Sequence, residues 1–489
     1  MLFSSYIFLF LFLPLVLLGY YGLNHFKKYR LALAYVTVMS MWFCGYTGVE
    51  YLVILLVSIV VNFLLVEWMS RVKGSHSRKV LLVLGLLWNI GLLFCFKYYD
   101  FFIGNINEVF RTDIALLRLV LPLGISFYTF QQLSYVIDYY RGDCEKYDLL
   151  EYTAYVTFFP KLIQGPLASH TEVISQLRSE ENRRVCYDNL SRGIYAFALG
   201  LAKKVLIADT FSPIVTLGYD HIGDLNSPSA LLVMICYALQ LYFDFSGYCD
   251  MAYGIGLFFN VELPLNFNSP YQAESVRDFW DRWHMTLTRF FTKYLYIPMG
   301  GSRKGMLRTY LNVLIVFLVS GLWHGANWTF ILWGALHGIC SVLERTRPVK
   351  KLLPLIPKAV RVAVTFLLVT FAWSLFRADS IAQAKELWHQ LFHAGWGGIY
   401  APLAEAFNDM TEMKLLYRLG FDGVMDQYPG VFVVLFTLVV LAACFFMRNT
   451  QEKTEHMHLT NGRILVTVGL MVWSILSMSG VSAFLYVNF

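Results

Sequence analysis

Gly321-Leu322-Trp323-His324-Gly325-Ala326-Asn327-Trp328 stands at the middle of a stretch, residues 309–343, that holds no Asp, Glu, Lys or Arg. Arg308 and Glu344 bound it. As one helix it would be about 50 Å long, against a hydrocarbon core of about 30 Å. Basic clusters flank both ends, Arg303/Lys304/Arg308 before and Arg345/Arg347/Lys350/Lys351/Lys358/Arg361 after. Short loops rich in Lys and Arg stay on the cytoplasmic side, so the segment is expected to enter the membrane, turn near its middle and return. Two glycines around a histidine suit such a break, because glycine tolerates the turn and irregular backbone survives only where protein encloses it. His324 lies about 21 Å along a helix from Tyr310, which is deep.

Working outward, the whole chain has the composition of a membrane protein. Of 489 residues 57% are hydrophobic and 15% charged. A soluble fold of this size could not hide so much apolar surface, and disorder is excluded by the same figures. The apolar runs are long and do not alternate, so an all-α polytopic fold is expected rather than a barrel. Runs near 2–23, 31–48, 51–68, 79–96, 114–130, 150–168, 190–208, 228–260, 309–343, 359–376, 429–447 and 464–487 predict roughly a dozen membrane elements, some broken or re-entrant. Residues 1–22 carry no charge and precede Lys27, Lys28 and Arg30, as in a first transmembrane helix that is kept. These cations and Arg71/Lys73/Arg78/Lys79 are placed in the cytoplasm, residues 379–428 outside, and 429–489 as a C-terminal helix pair whose end, Tyr486-Val487-Asn488-Phe489, faces out. The net charge of +6 is topology signal and not a nucleic-acid footprint. Eight scattered cysteines without a CxxC pair indicate neither a disulfide framework nor a metal site.

An ionisable group deep in a membrane is a functional candidate by default. Histidine is the cheapest to bury because it can stay neutral, and it suits a general base near neutral pH. His324 is therefore the first catalytic candidate. His284 closes Arg277-Asp278-Phe279-Trp280-Asp281-Arg282-Trp283-His284, where Arg277/Asp281 and Asp278/Arg282 are spaced for i,i+4 ion pairs. That self-paired helix places His284 to orient rather than to abstract. His337, His389 and His393 are weaker candidates, and zinc at the last two is not expected. Asp244 and Ser246, in Tyr242-Phe243-Asp244-Phe245-Ser246-Gly247-Tyr248-Cys249-Asp250, could line a passage; Asp244 could instead pair with a cation such as Lys203 or Lys204. Gly300-Gly301-Ser302-Arg303-Lys304-Gly305 lacks P-loop spacing, yet Arg303, Lys304 and Arg308 could attract phosphates.

Five strings in order, Pro122-Leu-Gly-Ile-Ser-Phe-Tyr-Thr-Phe-Gln131, Phe159-Pro-Lys-Leu-Ile-Gln-Gly-Pro166, Tyr242-Phe-Asp-Phe-Ser-Gly247, Phe279-Trp-Asp-Arg-Trp-His284 and Gly321-Leu-Trp-His-Gly-Ala-Asn-Trp328, resemble the membrane-bound O-acyltransferase (MBOAT) superfamily. The branch most similar is the alginate O-acetyltransferase membrane subunit. The resemblance implies an acyltransferase core over 1–378 with His324 and His284 as catalytic residues. It implies acetyl-CoA as a cytoplasmic donor substrate, no bound cofactor, and residence in a bacterial inner membrane. An extracytoplasmic polysaccharide would be the final acceptor, reached through an SGNH-type acetyltransferase partner. Asn327, or backbone N–H groups freed by the helix break, could stabilise an oxyanion. D-alanyl transfer to teichoic acid and a non-enzymatic transporter or flippase are the competing readings. Transporters with broken helices usually show repeated halves, and none is visible here.

Overall fold

Both arms of the uncharged stretch are helical, Met306–His324 and Trp328–Leu343, with the break at residues 325–327. The computed structural model, which describes residues 1–46 and 48–478, shows the arms antiparallel. A Cβ on Gly321 would lie 2.3 Å from the Phe330 carbonyl oxygen, and one on Gly338 would meet Phe317 and Leu314. Glycine is required where the two backbones approach this closely. The expected hairpin is present, and His324 is the last residue of its first arm.

Among the described residues six helices are long and apolar enough to cross a membrane: Phe8–His25, Val49–Arg71, Ser75–Phe110, Ser227–Phe258, Met306–His324 and Lys358–Arg377. Helical segments over Glu412–Gln427 and Val431–Phe446 form a pair bent by 103°, and Trp328–Leu343 and Asn461–Ser477 are shorter apolar helices. The expected dozen elements is thus reached only by counting short and broken ones. Helix Val49–Arg71 shows how the chain meets lipid. Its outer stripe, Val53, Val57, Val60 and Leu64, is exposed and apolar, whereas Ser58 and Asn62 are buried. Inside, Asn62 exchanges hydrogen bonds with Asn89 and reaches Gln132, which donates to Ser58. Polar groups are satisfied inward, as a hydrocarbon solvent demands.

Two apolar runs do not form crossings. Residues 112–124 are irregular, and the helix Ile125–Arg141 begins only after Pro122 and Gly124, the latter in the left-handed region at φ 73°. Proline disfavours helix in the residue before it, and the freed N–H groups of Leu117 and Arg118 go to Asp100. The run at 150–168 starts as the helix Leu149–Thr157, breaks at Phe158 and doubles back. Its two ends meet where the Tyr147 hydroxyl bonds His170 Nδ1 at 2.9 Å.

The basic ends gather on one face. Arg30 pairs with Asp148, Glu67 with Arg71 and Lys146, and Arg178 with Glu145 and Glu151. The hairpin tip lies at the far end of helix Ser75–Phe110, where Trp328 donates to Asn105 Oδ1 at 2.8 Å. Helix Ser227–Phe258 is buried almost throughout and runs between two hydrophobic cores, contributing Tyr237 to one and Ile255 to the other. Beyond Asp379, Ala384, Leu387 and Phe407 join the core that holds Tyr237. The expectation for the chain end, within 479–489, falls outside the described residues.

Gly321→Val should cost at least about 1–3 kcal/mol by overpacking the hairpin, read as a lower midpoint of thermal aggregation in detergent. An unchanged midpoint would contradict the close approach of the arms.

Candidate active site

His284 sits between two short helices, Val276–Arg282 and Met285–Phe291, in a left-handed conformation at φ 47° and ψ 49°. A non-glycine residue costs of order 1 kcal/mol there and persists only where its surroundings hold it. The extended segment 266–268 does so. Asn268 N–H donates to the Arg282 carbonyl at 2.9 Å, and Met285 N–H donates to the Asn266 carbonyl at 3.0 Å. His284 Nδ1 also lies 3.1 Å from Asn266 Oδ1. The imidazole is fully buried, with Phe245 edge-on at 4.9 Å.

His324 reaches the same place from the hairpin. It is 2% exposed, and its ring centroid is 6.5 Å from that of His284 at 59°. Trp323, Trp333 and Phe376 surround it at 4.8, 5.2 and 5.2 Å. The break that carries His324 leaves helix-terminal carbonyls without intrahelical donors. Lys97 supplies them, its Nζ donating to Trp323 O at 2.6 Å and to His324 O at 3.2 Å.

A cavity of about 680 Å³ lies along the first hairpin arm, and neither histidine lines it. At its outer end it is lined by Arg277, Asp281, Arg345 and Lys350, and further in by Trp280 and Ser320. Ser320 stands one helical turn before His324.

Comparison with known proteins fits this geometry. The model of the MBOAT, membrane-bound O-acyltransferase family matches residues 141–374. The chain is 34% identical to the peptidoglycan O-acetyltransferase of Helicobacter pylori, over 100% of this chain and 98% of that protein. The chain belongs to the membrane-bound O-acyltransferase family. It is also 37% identical to the probable alginate O-acetylase AlgI of Pseudomonas aeruginosa, over 81% of this chain and 75% of the relative. The teichoic acid D-alanyltransferase of Streptococcus thermophilus is 27% identical over 55% of this chain and 72% of its own length. This is a membrane acyltransferase.

The remaining candidates of this acyltransferase separate by direction. From the motif around Asp244, it is Phe245 that touches His284 and Cys249 that accepts from Asn266 Nδ2 at 3.3 Å. Four residues apart, these two share a helix face. Asp244 points elsewhere and pairs with Lys204 at 2.7 Å, while the same Nζ holds Asp209 at 2.8 Å. Of the two alternatives for Asp244, the ion pair is the one realised, and neither it nor Ser246 lines the cavity. Ser246 is 1% exposed on the central helix. Asn327 caps the second hairpin arm, accepting from Thr329 N–H at 3.0 Å and donating to the Asp379 carbonyl at 2.9 Å. Those bonds use the amide oxygen and one of its two N–H donors in the turn.

Arg303, Lys304 and Arg308 are exposed and do not line the cavity, although Ser302 and Gly305 of the loop and Met306 at the start of the helix do. Positive φ at Gly300, Gly301 and Gly305 explains the glycines as turn residues. The cavity's cations are Arg277, Arg345 and Lys350. Arg277 is available because only Asp278 and Arg282 close the expected i,i+4 pair, at 2.7 Å. His337 accepts from Trp280 Nε1 at 3.2 Å behind the cavity wall. The His389 and His393 rings lie 5.1 Å apart, tilted by 38°, and no cluster fit for a metal ion occurs among the described residues. Sequence reading missed Lys97 and Asn266. A lone lysine beside an apolar run was a usable signal for the first; the second carries none locally.

Lys204→Met should remove the cation shared by Asp209 and Asp244 and cost about 3–5 kcal/mol, measured as loss of folded protein on heating. Adding Asp209→Asn and Asp244→Asn should recover most of it. A triple variant as unstable as the single one would show that the buried charges are not the cause.

Proposed function

We propose that this acyltransferase moves an acetyl group from cytoplasmic acetyl-CoA toward O-acetylation of an extracytoplasmic cell-envelope polysaccharide, in a bacterial inner membrane and through an SGNH-type acetyltransferase partner. The observation that carries the reading is the meeting of His284 and His324 beyond a cavity whose outer end is cationic. The names of two relatives, a peptidoglycan O-acetyltransferase and a probable alginate O-acetylase, support a glycan as the eventual acceptor.

Acyl transfer needs a base for the incoming hydroxyl at a place where water is scarce. In the proposed reaction a histidine takes the hydroxyl proton as the oxygen bonds the thioester carbon. The carbon–sulfur bond then breaks, and the departing thiolate receives that proton. Atoms and charge balance without a metal or redox partner. Arg277, Arg345 and Lys350 would hold the donor's phosphates through charge-assisted hydrogen bonds.

Purified protein in lipid nanodiscs, given acetyl-radiolabelled acetyl-CoA with the partner and glycan fragments, tests the reading. Wild type should transfer label, and His324→Ala should lower the rate at least about 10²-fold at matched protein level. Full activity in that variant would end the assignment, and labelling only from a D-alanyl carrier would favour the teichoic acid reading. Separately, Arg277→Ala/Arg345→Ala/Lys350→Ala should raise KM for acetyl-CoA at least about tenfold with kcat nearly unchanged. Neutralising Arg303, Lys304 and Arg308 should leave KM within about twofold. The reverse pattern would move the donor entrance to the loop.

A further inference from the structure

We infer that Asn266 is a positioning residue that fixes the neutral tautomer of His284, with the proton on Nδ1 and the lone pair on Nε2, so that His284 enters the reaction as a proton acceptor and not only as an orienting group. The kinetic part of this inference rests on the acyl-transfer reading above; the tautomer itself does not.

The argument follows obligate donors. The Thr286 backbone N–H can only donate, and it lies 3.3 Å from the Asn266 side chain, so the amide atom it faces is the oxygen. A second constraint agrees. Leu167 N–H donates to Thr286 Oγ1 at 3.0 Å, leaving the hydroxyl proton to go to the same Asn266 oxygen at 2.9 Å. On its other side the amide nitrogen meets Cys249 Sγ. With the oxygen so fixed, His284 Nδ1 at 3.1 Å must carry a hydrogen. A neutral ring then has its lone pair on Nε2, and that nitrogen has no hydrogen-bond partner among the described residues.

The ring cannot easily turn away from this arrangement. Phe245 and Trp323 stand edge-on at 4.9 and 6.0 Å, Phe127 stacks at 6.5 Å, and His324 lies at 6.5 Å. Asn266 also accepts Met285 N–H with its carbonyl, so one residue holds both the strained turn and the imidazole. The titratable groups facing this site are His324 from the hairpin, Cys249 behind the amide from the central helix, and Lys97 at the Trp323 and His324 carbonyls. No carboxylate pairs with His284 among the described residues, so a carboxylate at position 266 would be the first negative charge against the ring.

The test uses full-length protein in bilayers with ring-¹⁵N histidine, the His284 signals being those lost in His284→Gln. Solid-state spectra of wild type should show a protonated Nδ1 and a bare Nε2. Asn266→Leu should lose that preference and lower kcat about 100-fold with KM for acetyl-CoA within about twofold. Asn266→Asp should restore the Nδ1 proton and at least about a tenth of the wild-type rate. It should also move the acidic limb of the kcat–pH profile upward, because a carboxylate favours imidazolium and the base is then lost at higher pH. A proton on Nε2 in wild type would overturn the inference, as would Asn266→Leu with unchanged tautomer and kcat. Should Asn266→Leu not fold, the wild-type and Asn266→Asp spectra still decide. Wild type that transfers no acetyl group would sink the acyl-transfer reading and leave the tautomer result standing.

Discussion

A helix that ends inside a low-dielectric interior must find donors for its last carbonyls, and here they come from one lysine. Lys97 Nζ binds the carbonyl oxygens of Trp323 and His324 where the first hairpin arm stops. That contact, together with the Trp328–Asn105 hydrogen bond, ties the Ser75–Phe110 helix to the hairpin tip, and the rest of the arrangement depends on it. The stop lets the chain double back, and doubling back keeps both basic flanks on one face. The aromatic wall of Trp323, Trp333 and Phe376 then closes around an imidazole that would otherwise meet lipid.

The second histidine arrives by a different device. Its turn is strained, and the strain is held by the extended segment 266–268, whose backbone and side chain both bond to it. Two independent supports therefore converge, one on a helix terminus and one on a left-handed corner. A site built this way keeps its reacting groups fixed while the cavity beside it stays open to one face. The family to which the chain belongs performs acyl transfer, a reaction that gains most from fixed proton acceptors in a dry place.

Much of this was legible in the sequence because charge and length constrain a membrane chain strongly. Residues 309–343 are too long to cross once and carry positive flanks, so the hairpin follows. The motif around His284 and the one around His324 are indeed neighbours in space. Apolar composition alone, however, cannot tell helix from extended chain, and residues 112–124 are irregular despite their leucines. Charge density marks the loop at Arg303 as a basic end of the hairpin, but not which way its side chains point. The cavity instead takes Arg277, freed because one of two possible ion pairs does not close. Asn266 was invisible because its partners, Cys249, His284 and Thr286, are brought to it only by the tertiary fold.

The buried triad of Lys204, Asp209 and Asp244 has a consequence for how the protein is made. Lys204 and Asp209 lie in the middle of the helical stretch 187–220, whereas Asp244 lies in the middle of Ser227–Phe258, and the shared ammonium bonds both carboxylates. During synthesis the cation emerges first, and no carboxylate from the later helix exists to meet it. The central helix cannot then be released into hydrocarbon alone, because an unpaired Asp244 at its midpoint would be expensive there. The two helices must leave the insertion machinery as a unit. The order of residues along the chain thus dictates an order of partitioning for residues 187–258, unlike helix Val49–Arg71, which is apolar enough to enter alone.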